Sequence, residues 1–545
     1  MRAWFAPIPL TVRKHTKTIA LPAVTPSDLK DICEKLRAAG QRLHRLSVCD
    51  IAQQLEQVAR AWLKEGEPER LRALELLPQF LPFSLKACRR ALDALMEPLL
   101  AERLLKLLDE QLGDHRVLDE FVERLPGIKR RAFGAHLAFL IAAGNIVGIG
   151  IWDIVFCLLC KTPVLVKPSS DEPVLLSLFA HSLERIAPEL ASAVAVIPFP
   201  SERNEKDRGK GTGEKDLLGA ALSECEVVIV YGTDETVREV KRQAPAKVRI
   251  IERGYRFSVA IIDNSSANEQ TAELLALDIA RFDQRGCLSP QVCFVVGQGT
   301  GGTRHSGLAF AQMVAEGLNR VSEELPPKLR EGEKARVTQF RLTCEMLGAT
   351  VLSSPDARWT IAVWDAEHKD GWRKVACSAR VLHIVAVPSL DKVLEILRPI
   401  GKFLQGVALG SVEHGEKGIG QGVWSIAEEL GRMGVSRICA VGQLQTPPIE
   451  WSQDGKHLVA ELVRWCDLEP FPPQPPDSWV EVFCGDEVLS AQVRFALEEA
   501  GIPVSIEADI DPSQPTRFLQ RLRIPTKHLA EGQRVLAEKG LCTER

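Results

Sequence analysis

The sequence predicts an α/β protein. A doubly wound parallel-sheet core follows a helical N-terminal region, and a small α+β domain ends the chain. Three observations predict this. Apolar runs between residues 130 and 262 (LAFLIAAG, TPVLVKP, SAVAVIP, EVVIVYG, VRIIERG) alternate with longer amphipathic stretches, the signature of buried parallel strands joined by crossover helices. The chain has 545 residues, room for three or four units at ~150 residues each. The proline-rich segment FPPQPP at 471–476 sets off a tail of ~65 residues, large enough to fold alone.

Residues 1–125 form the helical region. Thr25, Pro26 and Asp28 supply an N-cap, a first-turn proline and an acidic first turn, and Leu29, Ile32, Cys33, Leu36 and Ala39 then recur on one helical face. Residues 126–262 form a Rossmann-type unit. Its charged stretch SERNEKDRGKGTGEKD, 201–216, lacks the G-x-x-x-x-G-K-[ST] pattern of a phosphate loop and reads as a solvated insertion. A second α/β unit covers 263–440. Within it Gly297, Gly299 and Gly302 match G-x-G-x-x-G, but the better reading is a strand end turning into a helix. A return segment covers 441–470, a linker 471–477 and the small domain 478–545. In that last domain WVEVF is a strand, and the following helix is expected to bury Leu489, Val493, Ala496, Leu497 and Ala500 before Gly501 and Pro503 stop it.

Composition excludes several classes. A hydrophobic content of 45%, a charged content of 26% and a net charge of −4 are those of an ordinary globular protein and leave no nucleic-acid surface. The 11 histidines lack ligand spacing, so no metal is expected. The 14 cysteines follow no framework spacing, as expected of free thiols in the cytoplasm. The apolar stretch 137–160 carries Asn145 and Asp153 in its middle, costly in lipid, and reads as strand, turn and buried helix rather than a membrane span. Cys157 and Cys160 belong to that helix.

One cysteine stands apart. Cys287, in RFDQRGCLSPQVCFVVG, follows Gly286 in a polar bend and precedes an apolar strand. A reactive thiol needs this setting, with support behind it and open space in front. Asn145 follows a buried strand, where its amide could donate to a developing oxyanion. Lys167 ends the next strand at the carboxyl edge, where α/β sheets take ligands. Gly232 and Thr233 open a helix whose free amides suit a phosphate. Glu252 closes another strand.

This ordered set (GN, KPSS, a strand ending in GT, ERG, then GC) resembles the aldehyde dehydrogenase superfamily. Within it, QRGCLSPQ and VSRICAVGQLQTPPIEWSQDGKHLVAELVRWCDLE (435–469) closely resemble the LuxC-type acyl-CoA reductases. The likeness covers about residues 1–470. The final domain falls outside it and resembles a small signal-transducing domain appended to some bacterial proteins. The resemblance implies NADPH-dependent reduction of a medium- or long-chain acyl-CoA to the aldehyde. Cys287 would displace CoA to give an acyl-cysteine, Asn145 would hold the oxyanion, and Glu252 would have a supporting catalytic role. Lys167, Ser169, Ser170, Gly232 and Thr233 would bind the cofactor. NADPH is expected over NADH because Ser169 and Ser170, beside Lys167, stand where NAD-preferring relatives carry an acid, although Asp171 and Glu172 are close. A homo-oligomer and an acyl-activating synthetase partner are also implied. Three readings compete: an aldehyde dehydrogenase working in the oxidising, CoA-acylating direction, a non-reducing acyl-thioester binding subunit, and a regulatory protein built round the end domain.

Overall fold

A computed structural model describes residues 10–13, 16–19, 24–198, 213–297, 303–365, 370–377, 379–410, 421–470, 478–510 and 518–541. Most of the charged stretch 201–216, the linker 471–477, Gly299 and Gly302 lie outside them. Residues 213–216 open the helix Gly213–Glu224, so the expected insertion is helical at its end. The chain divides into two compact units, one within 1–124 and 129–467, the other comprising 125–128 and 468–545.

In the first unit a short antiparallel ladder, Leu10–Arg13 with Thr16–Ile19, precedes the helices, an element the helical reading of 1–125 lacks. The helix Pro26–Leu43 starts as its sequence dictates. Thr25 and Asp28 form a capping box, and Leu29, Ile32, Cys33, Leu36 and Ala39 are buried. Helices Val48–Trp62, Pro68–Phe80, Leu85–Met96 and Ala101–Leu112 follow. Together they share one apolar core with a face of the first sheet.

That sheet has five parallel strands in the order Val194–Val196, Val164–Lys167, Ala138–Ile141, Val227–Tyr231, Arg249–Arg253. Each of the five apolar runs became a strand. Cys157 and Cys160 are buried at the helix Ile151–Leu159 and its C-cap. Among the described residues no helix is long and apolar enough to cross a membrane.

The second sheet has seven strands, in the order Thr350–Ser353, Thr360–Trp364, Val381–Val387, Pro290–Val296, Phe257–Asp263, Leu404–Gly410, Arg437–Ala440. Only the first pair is antiparallel. Phe257–Asp263 lies between Pro290–Val296 and Leu404–Gly410, so the first sheet ends at Arg253 and the expected boundary at 262 shifts back. A strand buried on both faces carries no mark of the sheet it will join.

The bend before Pro290–Val296 is held by buried polar contacts. Asp283 and Gln284 both have positive φ, 47° and 59°, a region non-glycine residues occupy only when their surroundings impose it. Arg380 Nε donates to Asp283 Oδ1 at 2.6 Å, and Arg380 also bonds Ser322 Oγ and the Leu325 carbonyl. Gln284 Nε2 donates to the Pro290 carbonyl at 2.7 Å while its Oε1 accepts from Val381 N.

The second unit contains the antiparallel strands Trp479–Gly485, Phe518–Pro525 and Ser505–Ile510, with Phe518–Pro525 central, and the helices Glu487–Glu499 and Leu529–Glu538. Val493, Ala496 and Leu497 are buried as expected, but Leu489 and Ala500 are exposed and Ser490 is buried instead. The inward face follows 490, 493, 496 and 497, so the expected stripe holds in its middle and fails at its two ends.

The Asp283–Arg380 pair is almost wholly enclosed, with side chains 4% and 2% exposed. Asp283→Ala should cost about 3–5 kcal/mol, because it strands a buried guanidinium. The check is the unfolding midpoint in denaturant, set beside that of Asp283→Leu/Arg380→Met, which removes both charges and should lose less.

Candidate active site

Cys287 sits half-buried in a turn closed by Ser289 N donating to the Gly286 carbonyl. Its own carbonyl accepts from Ser258 Oγ at 2.8 Å, and Ser258 Oγ in turn accepts from Gly406 N at 3.1 Å. Gln445 Nε2 donates to Ser289 Oγ at 2.6 Å and to the Asp278 carbonyl at 3.1 Å. Arg285 forms a two-pronged pair with Glu333, 2.7 and 3.0 Å. The thiol is therefore set by backbone that side chains hold from several directions.

Asn145 lies in the turn between Ala138–Ile141 and Ile151–Leu159. Its Nδ2 donates to the Arg285 carbonyl at 2.7 Å, which ties it to the cysteine bend; an amide nitrogen carries a second N–H. The preceding Gly144 packs so closely that a Cβ there would come within 2.6 Å of Ser169 Oγ. Lys167 is buried at the end of its strand. Gly232 and Thr233 precede the helix Asp234–Gln243, and Thr233 caps it.

One cavity of about 920 Å³ joins these groups, within the ordinary range for ligand sites. Cys287, Asn145, Lys167, Ser169, Gly232 and Thr233 all line it, and so does Asp171. Its apolar side is formed by Leu95, Pro98, Trp152, Phe156, Ile449 and Leu458. Ser170 is exposed and off the wall.

Glu252 is also absent from the cavity wall. It bonds Lys241 at 2.6 Å on the half-exposed side of the sheet. Strand parity explains this. Val230 pairs with Glu252 and Tyr231 with Arg253, so successive residues face opposite sides. Tyr231 and Arg253 take the side of the helix Ile151–Leu159, and both line the cavity.

That parity assembles a buried polar group that sequence reasoning left unassigned. Tyr231 Oη donates to Asp153 Oδ2 at 3.0 Å. Arg253 Nη1 donates to the Gln453 carbonyl at 2.9 Å and to Asp454 Oδ2 at 3.0 Å. Arg253 and Asp454 are only 2% and 8% exposed at their side chains. Asp454 belongs to the W-S-Q-D-G motif and has φ 57°, a conformation Asp tolerates better than most residues. Burial pushes the Cys287 thiol up to about 12, the Asp454 carboxylate adds to the rise, and Arg253 opposes it. Burial likewise raises Asp153.

A profile of the family described as "Acyl-CoA reductase (LuxC)" matches residues 43–465. A long-chain acyl-protein thioester reductase of Photorhabdus laumondii is 23% identical over 456 residues, covering 83% of this chain and 87% of that protein. A protein of the same description from Vibrio harveyi is 21% identical over 359 residues, 65% of this chain and 71% of its own. Among solved structures, a mutant aldehyde dehydrogenase C of Pseudomonas syringae in complex with NAD+ and octanal matches with a TM-score of 0.61 at 14% identity, over 84% of this chain and 92% of that one. The fold is thus the aldehyde dehydrogenase fold the sequence led us to expect.

Because Glu252 faces Lys241, Glu252→Gln should leave alkylation of Cys287 by iodoacetamide at the wild-type rate. Its effect on stability should stay within about 1 kcal/mol, the range of an exposed ion pair. Peptide mass analysis and a thermal melt check the two.

Proposed function

As the chain belongs to the acyl-CoA reductase (LuxC) family, we propose that it reduces a long-chain acyl thioester to the aldehyde through an acyl-cysteine at Cys287. The observation that carries this is one cavity containing Cys287, Asn145, Lys167, Gly232 and Thr233. The relatives named above are acyl-protein thioester reductases. That description moves the first choice of donor from acyl-CoA to an acyl group on a protein thiol, with CoA as the second.

Cys287 attacks the thioester carbonyl and the original thiol departs, leaving the acyl group on the enzyme. The carbonyl oxygen gains charge in this step and is stabilised by the second Asn145 N–H and the Cys287 backbone N–H. The apolar wall of Leu95, Trp152, Phe156 and Leu458 takes the first carbons of the chain and keeps water from the acyl-cysteine. Glu252, turned toward Lys241, has no part in the mechanism.

A nicotinamide dinucleotide fits the rest of the cavity. The helix end at Thr233 offers free backbone amides, and Gly232 lets the Thr236 side chain pack where a Cβ would meet it at 2.8 Å. Asp234 and Glu235 in the first turn oppose a diphosphate there, and Lys167 on the same wall offsets them. Bound in this cleft, the reduced cofactor supplies the hydride. Lys167 and Ser169 favour the 2′-phosphate of NADPH, while Asp171 on the same wall works against it.

Cys287→Ala should abolish both acyl capture, read by intact mass after incubation with acyl thioesters, and NADPH consumption. Normal reduction by this variant overturns the proposal. Asn145→Ala should lower kcat by ~10²–10³. Asp171→Asn should lower KM for NADPH more than KM for NADH, and a wild-type preference for NADH defeats the NADPH reading.

A further inference from the structure

We propose that Asp454 accepts the Cys287 thiol proton during acyl capture and returns it to the departing thiol. The inference rests on the acyl-cysteine reading and assigns a proton path to it. In the capture step the S–H bond of Cys287 breaks and the proton goes to Asp454. The sulfur forms a bond to the acyl carbon, the bond from that carbon to the original sulfur breaks, and the departing thiolate takes the proton from Asp454. No electrons enter or leave.

Three observations support it. Asp454 and Cys287 line the same cavity. Asp454 is held there by Arg253, 3.0 Å from Oδ2, on backbone in the left-handed region, a conformation that persists when the surroundings impose it and often marks function. Its other oxygen, Oδ1, is enclosed and accepts no hydrogen bond among the described residues, although Arg256 Nε stands 3.4 Å away. A buried carboxylate oxygen with an ion-pair neighbour but no hydrogen bond is uncommon, and it suits an atom that must receive a proton in turnover. The need is clear as well. Burial and the Asp454 charge both raise the Cys287 thiol, so its attack calls for a group that takes the proton, and the carboxylate at the strand end, Glu252, faces away. The charged groups bearing on the pair are Arg253 at the end of the strand Arg249–Arg253 and Arg256 just before the strand Phe257–Asp263, with Asp153 and Tyr231 behind Arg253.

The two roles open to Asp454 predict opposite results. A carboxylate that only repels the thiolate would slow Cys287, and its removal would speed alkylation. A proton acceptor would speed Cys287, and its removal would slow alkylation. The experiment measures iodoacetamide alkylation of the peptide containing Cys287 between pH 6 and 9, in the wild type and in Asp454→Asn. The wild-type rate should be nearly flat from pH 6 to 8. The variant should be at least tenfold slower at pH 7, rising about tenfold per pH unit. A variant as fast as the wild type or faster overturns the proposal. If the variant fails to fold, a wild-type rate that itself climbs tenfold per unit throughout does so alone. Alkylation needs no acyl substrate. A normal reductase in Cys287→Ala would therefore sink the acyl-cysteine reading and leave the alkylation result standing.

Discussion

The site depends on a bend that could not hold its shape unaided. Residues 283 and 284 occupy a backbone region that carries strain for any side chain other than glycine, yet they come just before Cys287. What fixes them is a set of enclosed polar contacts. Arg380 holds Asp283, Gln284 spans to Pro290 and Val381, and Ser258 links the Cys287 carbonyl to Gly406. Arg380 and Val381 tie the bend to the start of the strand Val381–Val387, and Ser258 ties it to Phe257–Asp263 and Leu404–Gly410. The sulfur is therefore positioned by the framework, and it can face open space without support of its own.

The two sheets meet the cavity in complementary ways. From the first come strand ends, Lys167 and Tyr231–Gly232, followed by a helix start, the place where parallel sheets take ligands. The second contributes the segment leading into a central strand, with Cys287 on it. Asn145 bridges them, since it stands on a turn of the first sheet and bonds a carbonyl of the bend in the second. A change of a few tenths of an ångström at Gly144, where Ser169 is already close, would thus be felt at both the Ser169 side and the thiol side of the cavity.

Much of this was legible in the sequence. The five apolar runs of the first sheet, the capping box at Thr25 and the turn at Cys287 ahead of a buried strand each rest on local chemistry that a sequence displays. What stayed hidden depends on parity and partners. Glu252 and Arg253 are neighbours in the chain, and only the pairing of Val230 with Glu252 decides which of them faces the cavity. The strand Phe257–Asp263 is apolar on both faces and gave no sign of its sheet. In the small domain, the inward face starts at Ser490 rather than at Leu489. Asp454 was visible as part of a motif. Its placement depends on a left-handed backbone and on an arginine some two hundred positions earlier in the chain, which no local pattern reveals.

Placing the base on Asp454 instead of Glu252 bears on what the enzyme must avoid. An acyl-cysteine awaiting reduction is also open to water, and a carboxylate free to approach the acyl carbon from any side would activate that water as readily as a thiol. Asp454 is not free in this way. One oxygen is held by Arg253, and the whole group is enclosed, so its remaining oxygen can serve only what lies directly in front of it. Arg256 stands 3.4 Å from that oxygen, and under the proposed path the group it serves before capture is the Cys287 thiol, which lines the same cavity. In the proposed acyl-cysteine the sulfur carries the chain, and Leu95, Trp152 and Phe156, which line the cavity, give that chain an apolar surface across the approach. Under this arrangement the same carboxylate promotes attack by sulfur and has little access to water, and the difference comes from the tether. Loosening Arg253 would then harm the balance between reduction and hydrolysis more than it harms capture.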